Sequence, residues 1–251
     1  MVINRFFIDE EIVNKSVTLS DEKVHHIRNV LKMKEQERLI LIKNNKEYVF
    51  SIDKIEKNSI ILSMEKEICE EKENTFSVTL FQGLPKGDKA DFIVEKAVEA
   101  GADSIVLLNT KRSVALFTKD NIKKKEERFL KISQSASCQS GRLKIPEVKC
   151  VLKIDELDFS DFDLLILCYE DENKTTLKQV LKSNSDKKKI GIFIGPEGGI
   201  DESEVAKLSH LGFVSASLGK RILRCETAGL YALALLNYEL NDYNYFLYRE
   251  D

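Results

Sequence analysis

The sequence predicts an α/β protein in two parts, a small β-rich domain followed by a larger domain built on a mostly parallel sheet. Three observations predict it. Four short β-prone runs surround one helical segment within residues 1–70. A charge-dominated stretch follows, and beyond it five apolar runs alternate with five helical patterns. Near-continuous apolar strands set between helices are those of a parallel sheet covered on both faces.

In the first part the β-prone runs are residues 5–8, 39–42, 48–52 and 59–62, several bounded by Asn-containing turns. Between the first two, Ser20 stands as an N-cap with Asp21 and Glu22 in the favourable first turn of a helix reaching Val30. Val24, Ile27, Val30 and Leu31 recur there at helical spacing, so a small barrel crossed by one helix is expected. Residues 65–74, with Glu70, Glu71, Lys72 and Glu73 in succession, read as the linker, which places the domains at 1–70 and 75–251. In the second part the expected strands are 78–81, 105–108, 164–168, 190–194 and 214–218. The expected helices are 88–100, 121–137, 175–182, 202–211 and 225–239. No internal repeat or low-complexity tract interrupts them.

Composition bounds the function. The chain has 251 residues, 43% hydrophobic and 32% charged, values of a soluble globular protein. No apolar run is long enough to span a bilayer, and the opening from Met1 to Glu10 lacks the regions of a signal peptide, so a cytoplasmic protein is expected. The five cysteines, Cys69, Cys138, Cys150, Cys168 and Cys225, are scattered and never spaced as a CxxC pair, which suits free thiols. His25 and His26 are adjacent and would diverge on a helix, so no metal is expected. The net charge of −3 conceals segregation: residues 111–149 hold eleven Lys and Arg against four Asp and Glu, whereas residues 151–251 hold twelve against eighteen. Such segregation can build a basic surface on an acidic protein; a solvated helix face around Lys123, Lys124, Lys125 and Arg128 is the simpler explanation.

Ligands of open α/β sheets sit beyond the carboxyl ends of the strands, and three segments there stand out. After the run 190–194 comes Gly195, Pro196, Glu197, Gly198 and Gly199, a turn that lets a ligand approach the backbone; Asp201 then caps a helix, with Glu204 placed for a reciprocal capping box. The turn is neither GxGxxG nor a P-loop, so dinucleotide and nucleoside-triphosphate readings are weak. After the run 214–218 come Gly219, Lys220, Arg221, Ile222, Leu223 and Arg224, then Cys225, Glu226, Thr227 and Ala228 opening an apolar helix. Cations at a helix N-terminus oppose its macrodipole, which favours a functional reason for them; Glu226 and Thr227 have the simpler role of starting or capping the helix. The third segment, 134–146, is polar and carries Arg142 beside Gly141; a plain loop with one surface arginine is the competing view.

These pieces, in this order and over nearly the whole chain, resemble the RsmE family of SPOUT-class methyltransferases. Arg5, Phe6, Phe7, His25, His26 and Ile27 are similar to its PUA-like N-terminal barrel. Gln82, Gly83, Leu84, Pro85 and Lys86, then Glu95 to Glu99, Arg112 with Ser113, and Cys138 to Arg142 follow its catalytic domain. The turn 195–199 and the segment 218–228 are the most specific matches. Two positions depart from the family: Cys138 stands where it usually has glutamate, and Lys32 where it commonly has arginine.

The resemblance implies a trefoil-knotted catalytic domain, a homodimer, and transfer of a methyl group from S-adenosylmethionine to uridine N3 of 16S ribosomal RNA in the small subunit. It places the cofactor against Leu167, Cys168, Gly195, Pro196, Glu197, Gly198, Gly199, Leu218, Gly219, Ile222, Leu223, Arg224 and Thr227. It makes Arg224 the first candidate for stabilising the uridine anion and Arg142 the second, with Glu197, Glu226 or water as the base. RNA contacts are expected from Arg5, Arg28, Lys32, Lys86, Arg112, Gln139, Arg142 and Arg221. Two other classes remain open: a noncatalytic RNA-binding or ribosome-assembly protein that keeps the knotted fold, and a doubly wound cofactor enzyme without an RNA partner.

Overall fold

The computed structural model describes residues 4–70 and 72–241. Met1 and Glu71, named above, with residues 2 and 3 and the last ten residues of the expected second domain, lie outside the described residues. Strand pairing forms two separate sheets. The first has the order β1-β3-β4-β5-β2, from β1 (Arg5–Phe7), β2 (Ser16–Ser20), β3 (Arg38–Lys43), β4 (Lys46–Ile55) and β5 (Ser59–Ile68). β3, β4, β5 and β2 pair antiparallel, and β1 closes one edge by running parallel to β3. Their inward residues, including Val17, Leu19, Leu39, Leu41, Phe50, Ile52, Ile60 and Leu62, form one core with Val24 and Ile27.

The segment after Ser20 departs from the expected single helix. α1 covers Asp21–His25, and His26–Val30 winds as a π-helix, with Leu31 N–H donating to His26 O at 2.9 Å. The wider turn breaks the 3.6-residue register: Val24 and Ile27 stay in the core, but Val30, expected on the same face, is exposed. Ser20 occupies the N-cap position without a side-chain capping bond.

By its contacts the chain divides into residues 1–73 with 137–144, and residues 74–136 with 145–251. The second unit is built on a six-stranded sheet of order β11-β9-β10-β6-β7-β8, all pairs parallel. Its strands are β6 (Ser77–Gly83), β7 (Ser104–Leu108), β8 (Glu147–Val151), β9 (Leu164–Cys168), β10 (Lys189–Ile194) and β11 (Val214–Ala216). The helices are α2 (Lys89–Glu99), α3 (Ile122–Ser140), α4 (Leu177–Ser183), α5 (Glu202–His210) and α6 (Cys225–Leu240).

Strand residues alternate between two cores, one on each face of the sheet. One core gathers Leu80, Ile105, Leu107, Ile166, Ile190 and Ile192 with residues of α2, α4 and α6. Phe81, Val106, Leu108, Leu165, Leu167 and Phe193 point the other way, into a core with Leu208 of α5. There Phe81, Phe159, Phe162, Phe193 and Phe213 meet edge to face, with centroids 5.0–6.4 Å apart.

Three further differences from the expected elements have physical reasons. β2 and β8 add to the expected strands; β8 alternates Glu147, Val148, Lys149 and Cys150, and as an edge strand it buries one face. α3 runs to Ser140, three residues past the expected end at 137, and stops where Gly141, at a φ of 76°, turns left-handed and Arg142 N–H donates back to Ser137 O at 3.0 Å. β11 ends at Ala216 because Ser217 turns to pair with another segment, its N–H donating to Thr175 O at 2.8 Å and its carbonyl accepting from Leu177 N–H at 3.0 Å. Among the described residues no helix is long and apolar enough to cross a membrane.

Candidate active site

All six parallel strands end on one side of the second unit, and a cavity of about 630 Å³ opens beyond the ends of β9, β10 and β11. Three segments wall it: residues 168–170, the turn 194–199 and the stretch 217–225, with Lys86, Lys89 and Ala228 completing the lining. Of the expected cofactor residues, Cys168, Gly195, Pro196, Glu197, Gly199, Leu218, Gly219, Ile222, Leu223 and Arg224 line this cavity. Leu167 points into the core on the other sheet face, and Gly198 and Thr227 are not among the lining residues.

The glycine turn is held from beneath and from the side. Gln82, fully buried at the end of β6, donates from Nε2 to Gly195 O at 3.0 Å and to Gly83 O at 3.1 Å. Arg112 donates from Nη1 to Gly198 O at 3.2 Å. Asp201 caps α5 as expected, accepting from Ser203 N–H at 3.2 Å. Glu204 does not return that bond. It is buried and accepts instead from Lys111 N–H at 2.9 Å, fixing the loop that carries Arg112 beside the turn.

The cationic stretch lies in the open. Arg224 is the N-cap residue of α6, with ψ of 152°, and its side chain is exposed. Its carbonyl accepts from Thr227 N–H at 2.9 Å and Ala228 N–H at 2.8 Å, so the helix begins without a side-chain cap from Thr227 or Glu226. Lys220, Arg221 and Ile222 are exposed beside it.

Sequence reasoning missed Lys89. Its Nζ lies 3.1 Å from Glu197 Oε1 and 3.2 Å from Glu226 Oε2, so both candidate bases share one ammonium. Lys86 N–H also donates to the Glu197 carboxylate, at 3.2 and 3.4 Å, and the Cys225 thiol donates to Glu226 Oε2 at 3.2 Å. Burial works to raise both carboxyl pKa values. The hydrogen bonds each accepts, from its own backbone, from Lys89 and from Lys86 or Cys225, outweigh burial and hold both below the ordinary value. A carboxylate stabilised in this way is a poor proton acceptor. The thiols of Cys168 and Cys225 are pushed up to about 12, chiefly by burial, and stay protonated in the neutral range.

The remaining expected RNA contacts fall in the first unit, and several are already engaged. Arg5 Nε donates to the buried Glu47 at 3.1 Å, and Arg28 Nη1 donates to Lys57 O at 2.7 Å. Arg142 is buried, with Nη2 donating to Glu73 Oε2 at 2.6 Å, while Glu73 Oε1 accepts from Leu143 N–H at 2.8 Å. Lys32, at a positive φ of 53°, and Gln139 on α3 are exposed. Burial raises the pKa of the Cys138 thiol, against a hydrogen bond from the Phe7 backbone. The position therefore holds a neutral thiol, not an acid.

Comparison with known proteins joins these features to a family. A family model described as an RNA methyltransferase domain matches residues 72–237, and one described as an RNA methyltransferase PUA domain matches residues 19–65. The ribosomal RNA small subunit methyltransferase E of Bacillus subtilis (strain 168) is 34% identical over 250 residues, covering 94% of this chain and 97% of that protein. The crystal structure of a ribosomal RNA small subunit methyltransferase E from Neisseria gonorrhoeae, bound to S-adenosyl methionine, superposes with a TM-score of 0.86 at 29% identity; the match covers 97% of this chain and 100% of that one. A methyltransferase of Legionella pneumophila in complex with SAM gives a TM-score of 0.85 at 28% identity, covering 95% and 98%. A PUA-like domain joined to an α/β methyltransferase domain, with similarity along nearly the full length, assigns the chain: it belongs to the ribosomal RNA small subunit methyltransferase E family of RNA methyltransferases.

Proposed function

We propose that the chain methylates N3 of a specific uridine in 16S ribosomal RNA, using S-adenosylmethionine held in the cavity beyond β9, β10 and β11. The observation that carries this reading is the meeting of the glycine turn 195–199 and the cationic stretch 217–224 around one cavity, in a chain of this family. The cavity suits the cofactor. Its volume falls within the usual range for small-molecule sites, about 300–1,000 Å³. Gly219 has φ of 124°, and a Cβ there would meet nothing within 4 Å, so the missing side chain leaves room for a ligand against the backbone.

In this reading the backbone of Gly195 to Gly199, Leu218, Gly219 and Ile222 to Arg224 holds the cofactor, with Leu167, Cys168 and Thr227 supporting it from behind. When bound, S-adenosylmethionine supplies a methyl group made electrophilic by the sulfonium charge. Uridine N3 carries a proton at neutral pH, and the anion left by its loss spreads onto the flanking carbonyl oxygens. The exposed Arg224 guanidinium is placed to stabilise that anion and so lower the pKa of the base. With Glu197 and Glu226 ionised and tied to Lys89, water is the better acceptor of the proton. Lys86, Arg112 and Arg221 in the second unit, and Arg5, Arg28, Lys32, Gln139 and Arg142 in the first, contact RNA. Arg5 and Arg142 exchange their glutamate partners for phosphate when they do.

Three structural proposals accompany this one. The C-terminal path is a trefoil knot, supported by β11 flanking β9 on the side away from β10 although it follows β10 in the chain; a crystallographic trace of residues 189–240 tests it. The first domain spans 1–70 and the catalytic one 75–251, and the protein is a homodimer. The dimer is supported by exposed aromatic residues on two helices that pack together: Phe92 on α2, with Tyr231 and Tyr238 on α6, the last 75% exposed. Replacing Phe92 and Tyr238 together by aspartate should halve the mass found by sedimentation equilibrium; an unchanged mass removes this face from the interface.

The deciding experiment incubates the protein with labelled S-adenosylmethionine and unmodified small ribosomal subunits, then maps the methyl group by mass spectrometry. A label on one uridine N3 is expected. Calorimetry with S-adenosylmethionine alone separates the noncatalytic RNA-binding reading, which requires no heat of binding.

A further inference from the structure

Lys89 opens α2, where a cation opposes the helix macrodipole and adds nothing to the stability of the helix itself. Its ammonium reaches two other segments, Glu197 in the turn between β10 and α5 and Glu226 in the first turn of α6. These are the two walls that the cofactor site requires to stand together. We propose that Lys89 is a positioning residue, drawing the glycine turn and the start of α6 onto the cofactor through Glu197 and Glu226. The proposal rests on reading the cavity as the S-adenosylmethionine site.

The charges around the cluster set its behaviour. Lys86 and Lys89 face it from the start of α2 and the loop before, Glu197 from the turn, and Arg224, Cys225 and Glu226 from α6; Glu170, after β9, also lines the cavity. Two carboxylates brought to one point repel unless a cation lies between them, and without it one of them retains a proton toward neutral pH. With Lys89 in place both are held below the ordinary carboxylate range, and the Lys89 pKa is raised by its hydrogen bonds to Glu197 and Glu226. In the intact protein the cluster is therefore fully charged above the ordinary carboxylate pKa and comes apart only as pH falls through the lowered values, so cofactor affinity is flat across the neutral range. Without Lys89 the walls close when one carboxyl is protonated and spread as both ionise, so affinity falls as pH rises.

The test measures S-adenosylmethionine affinity by calorimetry between pH 6 and pH 8 for the wild type, Lys89→Met, Lys89→Arg and the double variant Lys89→Met with Glu226→Gln, with circular dichroism to confirm folding. Lys89→Met should bind about tenfold more weakly at pH 8 and regain affinity toward pH 6. Lys89→Arg and the double variant should recover most of the loss, the first by restoring a cation and the second by removing a charge. Wild-type affinity in Lys89→Met, or a loss that is independent of pH and recovered by neither companion variant, overturns the proposal. If Lys89→Met does not fold, Lys89→Gln takes its place, and wild-type affinity at pH 8 in that variant overturns the proposal. A wild type that does not bind S-adenosylmethionine refutes the cofactor reading itself, and this proposal with it.

Discussion

Replacing Arg224 by alanine is expected to lower the rate of methyl transfer about 10²–10³-fold, the usual loss when one donor to a developing anion is removed. The site makes this a clean substitution. Arg224 contributes to the fold through its backbone, whose carbonyl starts α6, and alanine keeps that carbonyl. Its side chain is exposed, lines the cavity, and opposes the helix dipole. Stability should therefore hold or rise by about 0.3–1 kcal/mol. Single-turnover transfer to unmodified small subunits, with calorimetry of cofactor binding beside it, separates chemistry from affinity. Unchanged transfer rates would remove Arg224 from the mechanism.

The second large effect is structural. A Cβ on Gly83 would lie 2.6 Å from Pro196 Cδ, 2.7 Å from Pro196 N and 3.1 Å from Gly195 C. Those atoms belong to a proline ring and a backbone that Gln82 pins through Gly195 O, so no flexible side chain can move aside. Gly83→Ala must push the turn 195–199 off the end of β6, at a cost of about 1–3 kcal/mol for overpacking. The melting temperature should fall by roughly 2–4 °C for each kcal/mol in a chain of this size, and cofactor affinity should fall with it, since the displaced turn is a wall of the cavity. Gly87→Ala is the control: nothing lies within 4 Å of its Cβ, and only the positive φ of 67° is strained. A Gly83→Ala protein that melts and binds like the Gly87→Ala control refutes the account of that contact.

The cavity is legible in the sequence because its parts are local. A glycine turn after an apolar run, and cations placed against the dipole of the helix they precede, each announce themselves within about ten residues. The π-turn at His26–Val30 is not legible that way, since a change of register leaves the apolar spacing of Val24, Ile27 and Val30 looking helical. The three residues by which α3 outruns its expected end are hidden for a related reason: Gln139 and Ser140 are polar and exposed, which leaves no hydrophobic period to follow.

Glu204 shows where local logic reaches its limit. Its spacing from Asp201 satisfies a capping box, yet a backbone N–H at Lys111 competes for the same carboxylate and wins. The same holds for Arg142, whose sequence context suggests a free surface arginine and whose guanidinium is bound by Glu73.

What the sequence by itself determined, then, is the alternation of strand and helix, the glycine turn and the cationic helix start, because periodicity, backbone freedom and dipole effects act between near neighbours. The tertiary structure alone decided that Lys89 joins Glu197 to Glu226, that Glu204 holds the Arg112 loop, and that Gly83 presses on Pro196. Each of these depends on parallel strands bringing distant segments to one edge of the sheet, and short-range side-chain forces take effect only after that packing has placed the groups within a few ångströms.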